Sequence, residues 1–298
     1  MMAELVLSDR LARALARHAP RAGATTGGLR AALADAAAQR GRSVRAGLLL
    51  ASAEVAGVPS EEADRLACAV EFWHLASLLL DDLPCMDDAT ERRGQPCLHR
   101  VHGEANTILT ALALINRAYT LVGEAFASRP EAVRREALAA VERVMGPQGI
   151  LGGQSADLGF ARSDRSAAEV GRIAWRKTGA LLSLGLLLPA LWSGAAPARC
   201  RDLRRLAVYW GLAYQAMDDL SDLLLAEQSG KTAHRDAPLG RPNLVLALGV
   251  PGAKRRIARL VAGAQFVMQR LAAEEPRLAF LGQWHDAVFA VRAARQAA

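Results

Sequence analysis

Aspartates stand in two dense clusters in this 298-residue chain. The first cluster reads DDLPCMDD over residues 81–88, and the second reads QAMDDLSD over residues 215–222. Both are embedded in strongly apolar segments, where carboxylates repel one another unless a cation faces them. Groups of oxygen ligands suit Mg²⁺, which keeps several waters and is usually completed by substrate phosphates. The clusters therefore predict magnesium-dependent diphosphate chemistry; the alternative is that each is a solvated helix end.

Basic residues near the clusters favour a phosphate ligand, because phosphate oxygens need cations or N–H donors as well as metal. Arg92 and Arg93 follow the first cluster, and Lys231 follows the second. Lysine occurs only at positions 177, 231 and 254 in a chain otherwise rich in arginine. This usage indicates that Lys177 and Lys231 supply a compact ammonium where a planar guanidinium would not serve. The alternative is chance placement of three lysines.

Helices must position these residues. Almost every segment is rich in Ala, Leu and Arg and lacks the alternation of strands, so we predict an all-α fold. Pro84 must end or kink the first helix, so Asp87 and Asp88 return on a turn. No proline interrupts the second cluster, and one side of a helix is therefore shared by Gln215, Asp218, Asp219 and Asp222.

Glycine and proline breakers divide the chain into about ten helical pieces, with no change of composition that would mark a linker. We therefore predict a single domain over residues 1–298, in which residues 1–28 form an N-terminal helix and linker that pack loosely. The four cysteines form no CxxC pair, and the first residues do not resemble a secretory signal. A reducing, cytoplasmic location is the expectation.

The net charge of +7 raises the question of an anionic partner. No run of five or more basic residues occurs, so we expect no nucleic-acid binding. Residues 178–198 carry no charge and match a membrane span in length, but Pro189, Gly194 and Pro197 interrupt them. We predict a buried core helix there and no transmembrane segment.

Several motifs together resemble the trans-isoprenyl diphosphate synthases, most closely the short-chain geranylgeranyl diphosphate synthases. Residues 81–99 resemble the first aspartate-rich motif in its DDxxxxD form, with the arginine pair that follows it. Residues 214–222 resemble the second motif, FQxxDDxxD, with Tyr214 in place of Phe. Shorter matches are ExxHxxSL at residues 71–78, GQxxDL at 153–158, KTG at 177–179, and Gly230, Lys231, Asp236 and Gly240. The resemblance covers residues 41–249.

This resemblance implies an antiparallel helical bundle of the isoprenoid synthase type around a deep central cavity, with the aspartate motifs facing each other across its mouth. The implied reaction joins isopentenyl diphosphate to an allylic diphosphate by ionisation, condensation and elimination. About three Mg²⁺ ions per site, completed by diphosphate, would be held by Asp81, Asp82, Asp87, Asp218, Asp219 and Asp222. The leaving group would be neutralised by Arg92, Lys177 and Lys231. Thr178 and Gln215 would offer oxygen dipoles to the carbocation, and released pyrophosphate would be the base.

The second substrate, isopentenyl diphosphate, is expected to bind basic side chains without metal. The resemblance assigns this role to Arg45, His74 and Arg93, with Arg42 in the position of the family's Lys. Arg42 keeps the charge but is longer and planar. Two further departures from the family pattern are Ala46 for Pro and Leu80 for His.

Product length is expected to depend on side chains about one helical turn before Asp81. Ala76 and Ser77 are small, whereas farnesyl-making members tend to carry an aromatic there. We therefore expect the C20 product geranylgeranyl diphosphate, with C15 farnesyl diphosphate as the alternative. A class I terpene cyclase and a non-catalytic partner subunit are weaker alternatives, because the second cluster is not an NDxxSxxxE run and both aspartate sets are intact. The family also implies a homodimer.

Overall fold

The computed structural model describes residues 2–23, 26–38, 41, 43–162, 166–229 and 241–297. The predictions for Arg42 and Lys231 lie outside the described residues, and so does the side chain of Asp222. Contacts between residues divide the chain into two compact units, residues 1–138 and 139–298, which are taken in turn below. The expectation of one domain over residues 1–298 stays a prediction.

The first unit is built on a long apolar helix that ends at the first aspartate cluster. Its elements are α1 (Met2–His18), α2 (Gly27–Ala38), α3 (Val44–Val55), α4 (Ser60–Asp81), β1 (Glu91–Arg92), β2 (Gln95–Pro96) and α5 (Leu98–Ala125), and α6 (Glu131–Met145) begins in it. Helix α4 packs against α1, α3 and α5, so most of its apolar side chains are buried. Glu61 and Glu62 in its first turn complement the helix dipole. This packing fixes the position of the residues at its C-terminus.

Helix α1 is held against α4 by a buried carboxylate. Asp64 of α4 accepts from Arg10 Nε at 2.7 Å and from Arg17 Nη2 at 3.1 Å. Leu11 and Leu15 are buried on the same helix. A buried carboxylate bonded to two guanidinium groups is well compensated. Helix α1 is therefore fixed to α4 within the first unit.

The second unit carries the remaining motifs. Its elements are α7 (Ile150–Gly159), a 3₁₀ turn (Phe160–Arg162), α8 (Ala167–Ala174), a π-helical turn (Trp175–Gly179), α9 (Ala180–Trp192), α10 (Pro197–Ser229), α11 (Leu244–Glu274), a 3₁₀ turn (Pro276–Ala279) and α12 (Phe280–Ala297). Helix α10 packs against α9, α11 and α12. The indole of Trp210 stacks on Trp284 and donates to His285 Nδ1 at 2.9 Å. These contacts with α12 fix α10, the helix of the second aspartate cluster.

The all-α prediction is confirmed, with one small difference. Residues 91–92 and 95–96 pair as a two-residue antiparallel hairpin, where no strand was expected. Arg93 and Gly94 have φ of 55° and 75°, the two positive values of a tight type I′ turn. Composition and periodicity do not reveal so short a hairpin, because its stability comes from the turn and its surroundings.

The apolar stretch after Thr178 forms α9, which directly follows the π-helical turn. Every residue from Ala180 to Leu191 is buried, and Pro189 lies inside the helix. The prediction of a buried core helix is therefore confirmed. In the described ranges, no helix has both the length and the apolar character that crossing a membrane requires.

Candidate active site

The first aspartate cluster forms a tight loop at the C-terminus of α4. The helix ends at Asp81, as Pro84 predicts, and the Asp82 N–H closes its last turn on the Leu78 carbonyl at 3.1 Å. The backbone N–H of Asp87 then donates to the carbonyl of Asp81 at 2.9 Å. This bond confirms the predicted return of the chain and makes Asp81 and Asp87 neighbours. Both side chains are half-buried.

Asp82 is buried beneath this loop and bonded to an arginine. Arg92 Nε donates to Asp82 Oδ1 at 3.0 Å and to Oδ2 at 2.8 Å, and Arg92 Nη2 donates to Oδ1 at 2.6 Å. These hydrogen bonds raise the pKa of Arg92 above its ordinary value. Burial and then the Asp82 charge raise the pKa of the Cys97 thiol to about 11. In this structure Asp82 therefore anchors Arg92 to the aspartate loop.

A second group of basic residues lies close to the hairpin turn. Arg45 Nη1 and His74 Nε2 are 3.4 Å apart, and a β-carbon at Gly41 would lie 2.7 Å from Cζ of Arg93. Gly41, His74 and Arg93 also line one small cavity of about 40 Å³. We call Arg45, His74 and Arg93 the basic cluster. Of the residues that the sequence assigned to the second diphosphate, the structure thus brings together the three that it describes.

His74 is neutral within the basic cluster. Burial, followed in order of effect by the charges of Arg45, Arg93 and Arg92, lowers the pKa of His74 to about 3. The imidazole can therefore accept a hydrogen bond from Arg45 through Nε2. Its neutrality lets the positive charge of the cluster reside on the guanidinium groups.

Close backbone contacts position the KTG segment in the second unit. A β-carbon at Gly153 of α7 would lie 2.8 Å from the backbone nitrogen of Lys177. A β-carbon at Gly179 would lie 3.3 Å from the α-carbon of Gly211 on α10. Glycine at these crossings permits the approach. The π-helical turn that carries Lys177 and Thr178 therefore lies against both α7 and α10, and such turns are frequent at functional sites.

Thr178 begins a hydrogen-bond chain that ends at the first residue of α11. Thr178 Oγ1 donates to Gln215 Oε1 at 2.9 Å, and Gln215 Nε2 donates to Asp219 Oδ1 at 2.9 Å. Asp219 Oδ2 accepts from the backbone N–H of Leu244 at 2.7 Å. An ionised carboxylate only accepts hydrogen bonds, so Asp219 must face the amide nitrogen of Gln215. Thr178 consequently gives its one hydrogen to Gln215, and its oxygen offers only lone pairs elsewhere.

Lys177 is bonded to a buried carboxylate that the sequence reasoning left without a role. Lys177 Nζ donates to Asp157 Oδ2 at 2.9 Å, and Arg241 Nη1 donates to the same oxygen at 3.2 Å. Asp157 was visible only as the acidic residue of GQxxDL. The signal that could have singled it out is its position on α7 four residues after Gly153, which faces Lys177.

The polyprenyl synthetase family model matches residues 28–267 of the chain. The chain belongs to the polyprenyl synthetase family. As a member of this family it is a prenyltransferase, which confirms the predicted family, fold class and enzyme class.

Individual relatives agree with this assignment. The farnesyl diphosphate synthase of Geobacillus stearothermophilus is 32% identical over 255 residues, which are 85% of this chain and 86% of that protein. The geranylgeranyl diphosphate synthase of Pantoea ananas is 35% identical over 229 residues, 76% of this chain and 74% of that protein. The geranylgeranyl diphosphate synthase of Pseudescherichia vulneris is 38% identical over 192 residues, 64% of this chain but only 61% of that protein.

Solved structures show the same helical fold. An apo FPP/GFPP synthase from Zymomonas mobilis is 27% identical with a TM-score of 0.79, covering 93% of this chain and 95% of its own. A Helicobacter pylori geranyltransferase complexed with magnesium and isoprenyl diphosphate has a TM-score of 0.83 at 24% identity, covering 97% of each chain. At that identity the likeness concerns the fold alone.

The aspartates of this polyprenyl synthetase fit the ligand chemistry of Mg²⁺. Asp81 and Asp87 are adjacent in the loop, and Asp218 is half-buried beside Asp219 on α10. Within the described ranges, no three His, Cys, Asp or Glu side chains are grouped so as to hold a metal by themselves. Mg²⁺ is commonly held by one or two carboxylates plus substrate phosphates, so paired carboxylates suffice.

The two residues expected to set product length differ in their surroundings. Ala76 is completely buried among neighbouring side chains, which matches the alternative that it serves helix packing. Ser77 is half-buried, and its Oγ donates to the carbonyl of His74 at 2.8 Å. Of the two, Ser77 has the more open surroundings.

Proposed function

We propose that this protein condenses isopentenyl diphosphate with an allylic diphosphate to make geranylgeranyl diphosphate. The observation that supports this most directly is the basic cluster of Arg45, neutral His74 and Arg93. The positive charge of this cluster is carried by its two guanidinium groups. One of them, Arg93, directly follows Arg92, which is bonded to Asp82 of the aspartate loop. A synthase needs such a second diphosphate site, whereas a terpene cyclase ionises a single diphosphate. The cluster therefore favours condensation over cyclisation.

The allylic diphosphate would bind at the aspartates. Mg²⁺ would be held by Asp81, Asp87 and Asp218, with Asp82, Asp219 and Asp222 in support, and about three ions are expected. Bound Mg²⁺ supplies Lewis-acid withdrawal of charge from the departing pyrophosphate. Lys177 would donate to the same oxygens, together with Arg92 and Lys231. Both carboxylate oxygens of Asp82 accept from Arg92, and those of Asp219 accept from the Gln215 amide and the Leu244 N–H, which is consistent with supporting roles.

The carbocation left after ionisation would be stabilised by oxygen dipoles. Thr178 gives its hydrogen to Gln215, so the lone pairs of its oxygen are available to a developing positive charge. The double bond of isopentenyl diphosphate then attacks the allylic carbon and forms the new C–C bond. Loss of a proton from the resulting tertiary cation restores a double bond, and the released pyrophosphate takes that proton. This sequence requires no side chain as base.

Isopentenyl diphosphate would bind to the basic cluster. Arg45 and Arg93 would each donate to its phosphate oxygens, and Arg42 would add a third guanidinium. Neutral His74 would hold Arg45 through Nε2. We expect binding here to be independent of metal.

A C20 product is supported by the small side chain at Ser77 and by the geranylgeranyl diphosphate synthases among the relatives. The farnesyl diphosphate synthase of G. stearothermophilus keeps the C15 product as the second candidate. One relative is named the large subunit of a heterodimeric geranylgeranyl pyrophosphate synthase from Arabidopsis thaliana. The intact aspartate clusters of the present chain favour a catalytic role for it.

We also propose a homodimer in a cytoplasmic setting. Helix α5 exposes a band of large apolar side chains, the α5 stripe, made of Ile108, Leu109, Leu112 and Tyr119. Spacings of four and seven residues place Ile108, Leu112 and Tyr119 on one face of the helix. Exposed apolar bands of this kind mark protein–protein contacts, and a second copy of the chain would cover it.

The test is incubation of purified protein with Mg²⁺, isopentenyl diphosphate and geranyl or farnesyl diphosphate, followed by chromatography of the products. We expect pyrophosphate release and a C20 product. An exclusively C15 product would reject the proposed length, and absence of turnover with every allylic primer would reject the function.

Single substitutions then test the metal ligands. Asp81→Asn and Asp218→Asn should each lower turnover by about two or more orders of magnitude, because each removes a ligand charge. Asp88→Asn is the matched control, since Asp88 is exposed in the same loop and its φ of 45° suits asparagine. Near-normal rates for Asp81→Asn would show that the ligands are misassigned.

A further inference from the structure

Asp157 joins two cations through a single oxygen. Lys177 Nζ lies 2.9 Å and Arg241 Nη1 lies 3.2 Å from Asp157 Oδ2. The two nitrogens are therefore separated by at most the sum of these distances, 6.1 Å. The side chains of Asp157 and Arg241 are 7% and 11% exposed. The Lys177 side chain is 27% exposed, and the carboxylate that it shares with the more deeply buried Arg241 offsets the repulsion between the two positive charges.

The attachment of all three residues is rigid. Asp157 lies on α7, whose Gly153 meets the backbone of Lys177. Arg241 stands three residues before Leu244, whose N–H is bonded to Asp219 on α10. The segment 241–244 is thereby tied to α7 through Arg241 and to α10 through Leu244. The backbone positions from which Lys177 and Arg241 reach Asp157 are therefore held by contacts with α7 and α10.

We propose that Asp157 is a positioning residue that assembles Lys177 and Arg241 as a cation pair for the allylic diphosphate before substrate binds. This rests on the proposed function, which places Lys177 on that diphosphate. The pair offers N–H donors about one diphosphate width apart, and the carboxylate offsets their repulsion while the substrate is absent. Arg241 thereby becomes a contact of the allylic diphosphate together with Lys177.

The test is Asp157→Asn, which keeps the shape of the side chain and removes its charge. We expect the KM for the allylic diphosphate to rise by about ten- to a hundredfold, because charge-assisted hydrogen bonds to the substrate lose their alignment. The KM for isopentenyl diphosphate should stay within about twofold. In the Lys177→Ala background, the further effect of Asp157→Asn should shrink to less than about threefold, because only Arg241 is then left for the carboxylate to position. Calorimetry with inorganic pyrophosphate should show the same weakening without turnover.

Asp64→Asn is the matched control. Asp64 is also a buried carboxylate bonded to two basic side chains, but it joins α1 to α4 and has no proposed contact with substrate. Both variants should lower the melting temperature, whereas only Asp157→Asn should change the KM for the allylic substrate. An unchanged KM, an equal rise in both KM values, or a full effect in the Lys177→Ala background would overturn the proposal.

If Asp157→Asn does not yield folded protein, Asp157→Glu replaces it, since the charge is kept and displaced by one methylene. A selective rise of about threefold or more in the KM for the allylic diphosphate supports the positioning role, and no rise refutes it. Failure of the wild-type enzyme to use any allylic diphosphate would instead reject the proposed function, so the two failures are distinguishable.

Discussion

Replacing Asp219 should mainly lower stability, whereas replacing its neighbour Asp218 should mainly lower turnover. Asp219 is 3% exposed and accepts from Gln215 Nε2 and from the backbone N–H of Leu244. Asp219→Ala removes the acceptor of the buried Leu244 N–H and of the half-buried Gln215 amide, and each bond to a carboxylate contributes about 1.5–3 kcal/mol. We therefore expect the free energy of unfolding to fall by about 3–5 kcal/mol. For a chain of this size the melting temperature should fall by about 10 °C.

Asp219→Asn should lower the free energy of unfolding less than Asp219→Ala, because the direction of the hydrogen-bond chain can reverse. The new amide can keep its oxygen on the Leu244 N–H and turn its nitrogen to Gln215, which then flips. Thr178 would accept from Gln215 and direct its own hydrogen outward, where the proposed mechanism needs lone pairs. We expect a loss of about 1–2 kcal/mol in stability. Turnover should fall by more than this loss of stability would explain.

The assays are thermal unfolding followed by circular dichroism and steady-state turnover of the same preparations. Asp218→Asn is the comparison: its side chain is half-buried, so we expect less than about 1 kcal/mol of stability change with a large loss of turnover. Equal melting temperatures for Asp219→Ala and Asp218→Asn would refute this account of Asp219. A loss for Asp219→Asn as large as that for Asp219→Ala would show that the chain does not reverse.

Three further predictions concern the first unit. The pKa of His74 is about 3 in the folded protein and returns to an ordinary value near 6.5 on unfolding, so the free energy of unfolding should fall as the pH drops from 6.5 towards 3, by up to about 1.4 kcal/mol per pH unit. His74→Gln should flatten the pH dependence of unfolding in that window. An unchanged slope would contradict the assignment. Ser77→Phe should shift the product detected by chromatography from C20 towards C15, with little loss of stability. Ala76→Phe, at a completely buried position, should lower the free energy of unfolding by about 1–3 kcal/mol. A C20 product from Ser77→Phe would show that Ser77 does not determine product length. Leu112→Glu should convert the dimer to monomers, as measured by size-exclusion chromatography with light scattering. Glu104→Gln, at an exposed position of the same helix, is the control. A dimer that persists in Leu112→Glu would exclude the α5 stripe as its interface.

Local chemistry made the first aspartate loop predictable from sequence. Proline at position 84 cannot continue a helix, so the end of α4 at Asp81 and the return of Asp87 follow from backbone sterics. The basic cluster was assigned from resemblance, and the structure brings its members together. Neither route indicated that Asp82 would be bonded to Arg92, because that bond depends on a hairpin of two-residue strands.

The contacts of the second unit were harder to anticipate because they join distant segments. Asp157 and Lys177 are 20 residues apart, and Asp157 and Arg241 are 84 apart. Helical periodicity placed Gln215 and Asp219 on one side, but it could not show that Asp219 is bonded to the start of α11. The π-helical turn has no periodic signature, although the glycines at 153, 179 and 211 carried a signal of close backbone approach.

The hairpin makes the number of residues between the aspartate loop and the arginine pair important for the partner that each arginine reaches. Arg92 is bonded to Asp82, ten residues earlier, whereas the next residue, Arg93, turns to Gly41. Arg92 lies on a strand and Arg93 lies in the turn, so deleting one residue between the aspartates and the hairpin would put Arg93 in the place of Arg92 and Gly94 in the place of Arg93. A related sequence could keep both arginines and still lose the second diphosphate site. In comparisons across the family, the distance between the aspartates and the arginine pair is therefore more informative than the pair itself.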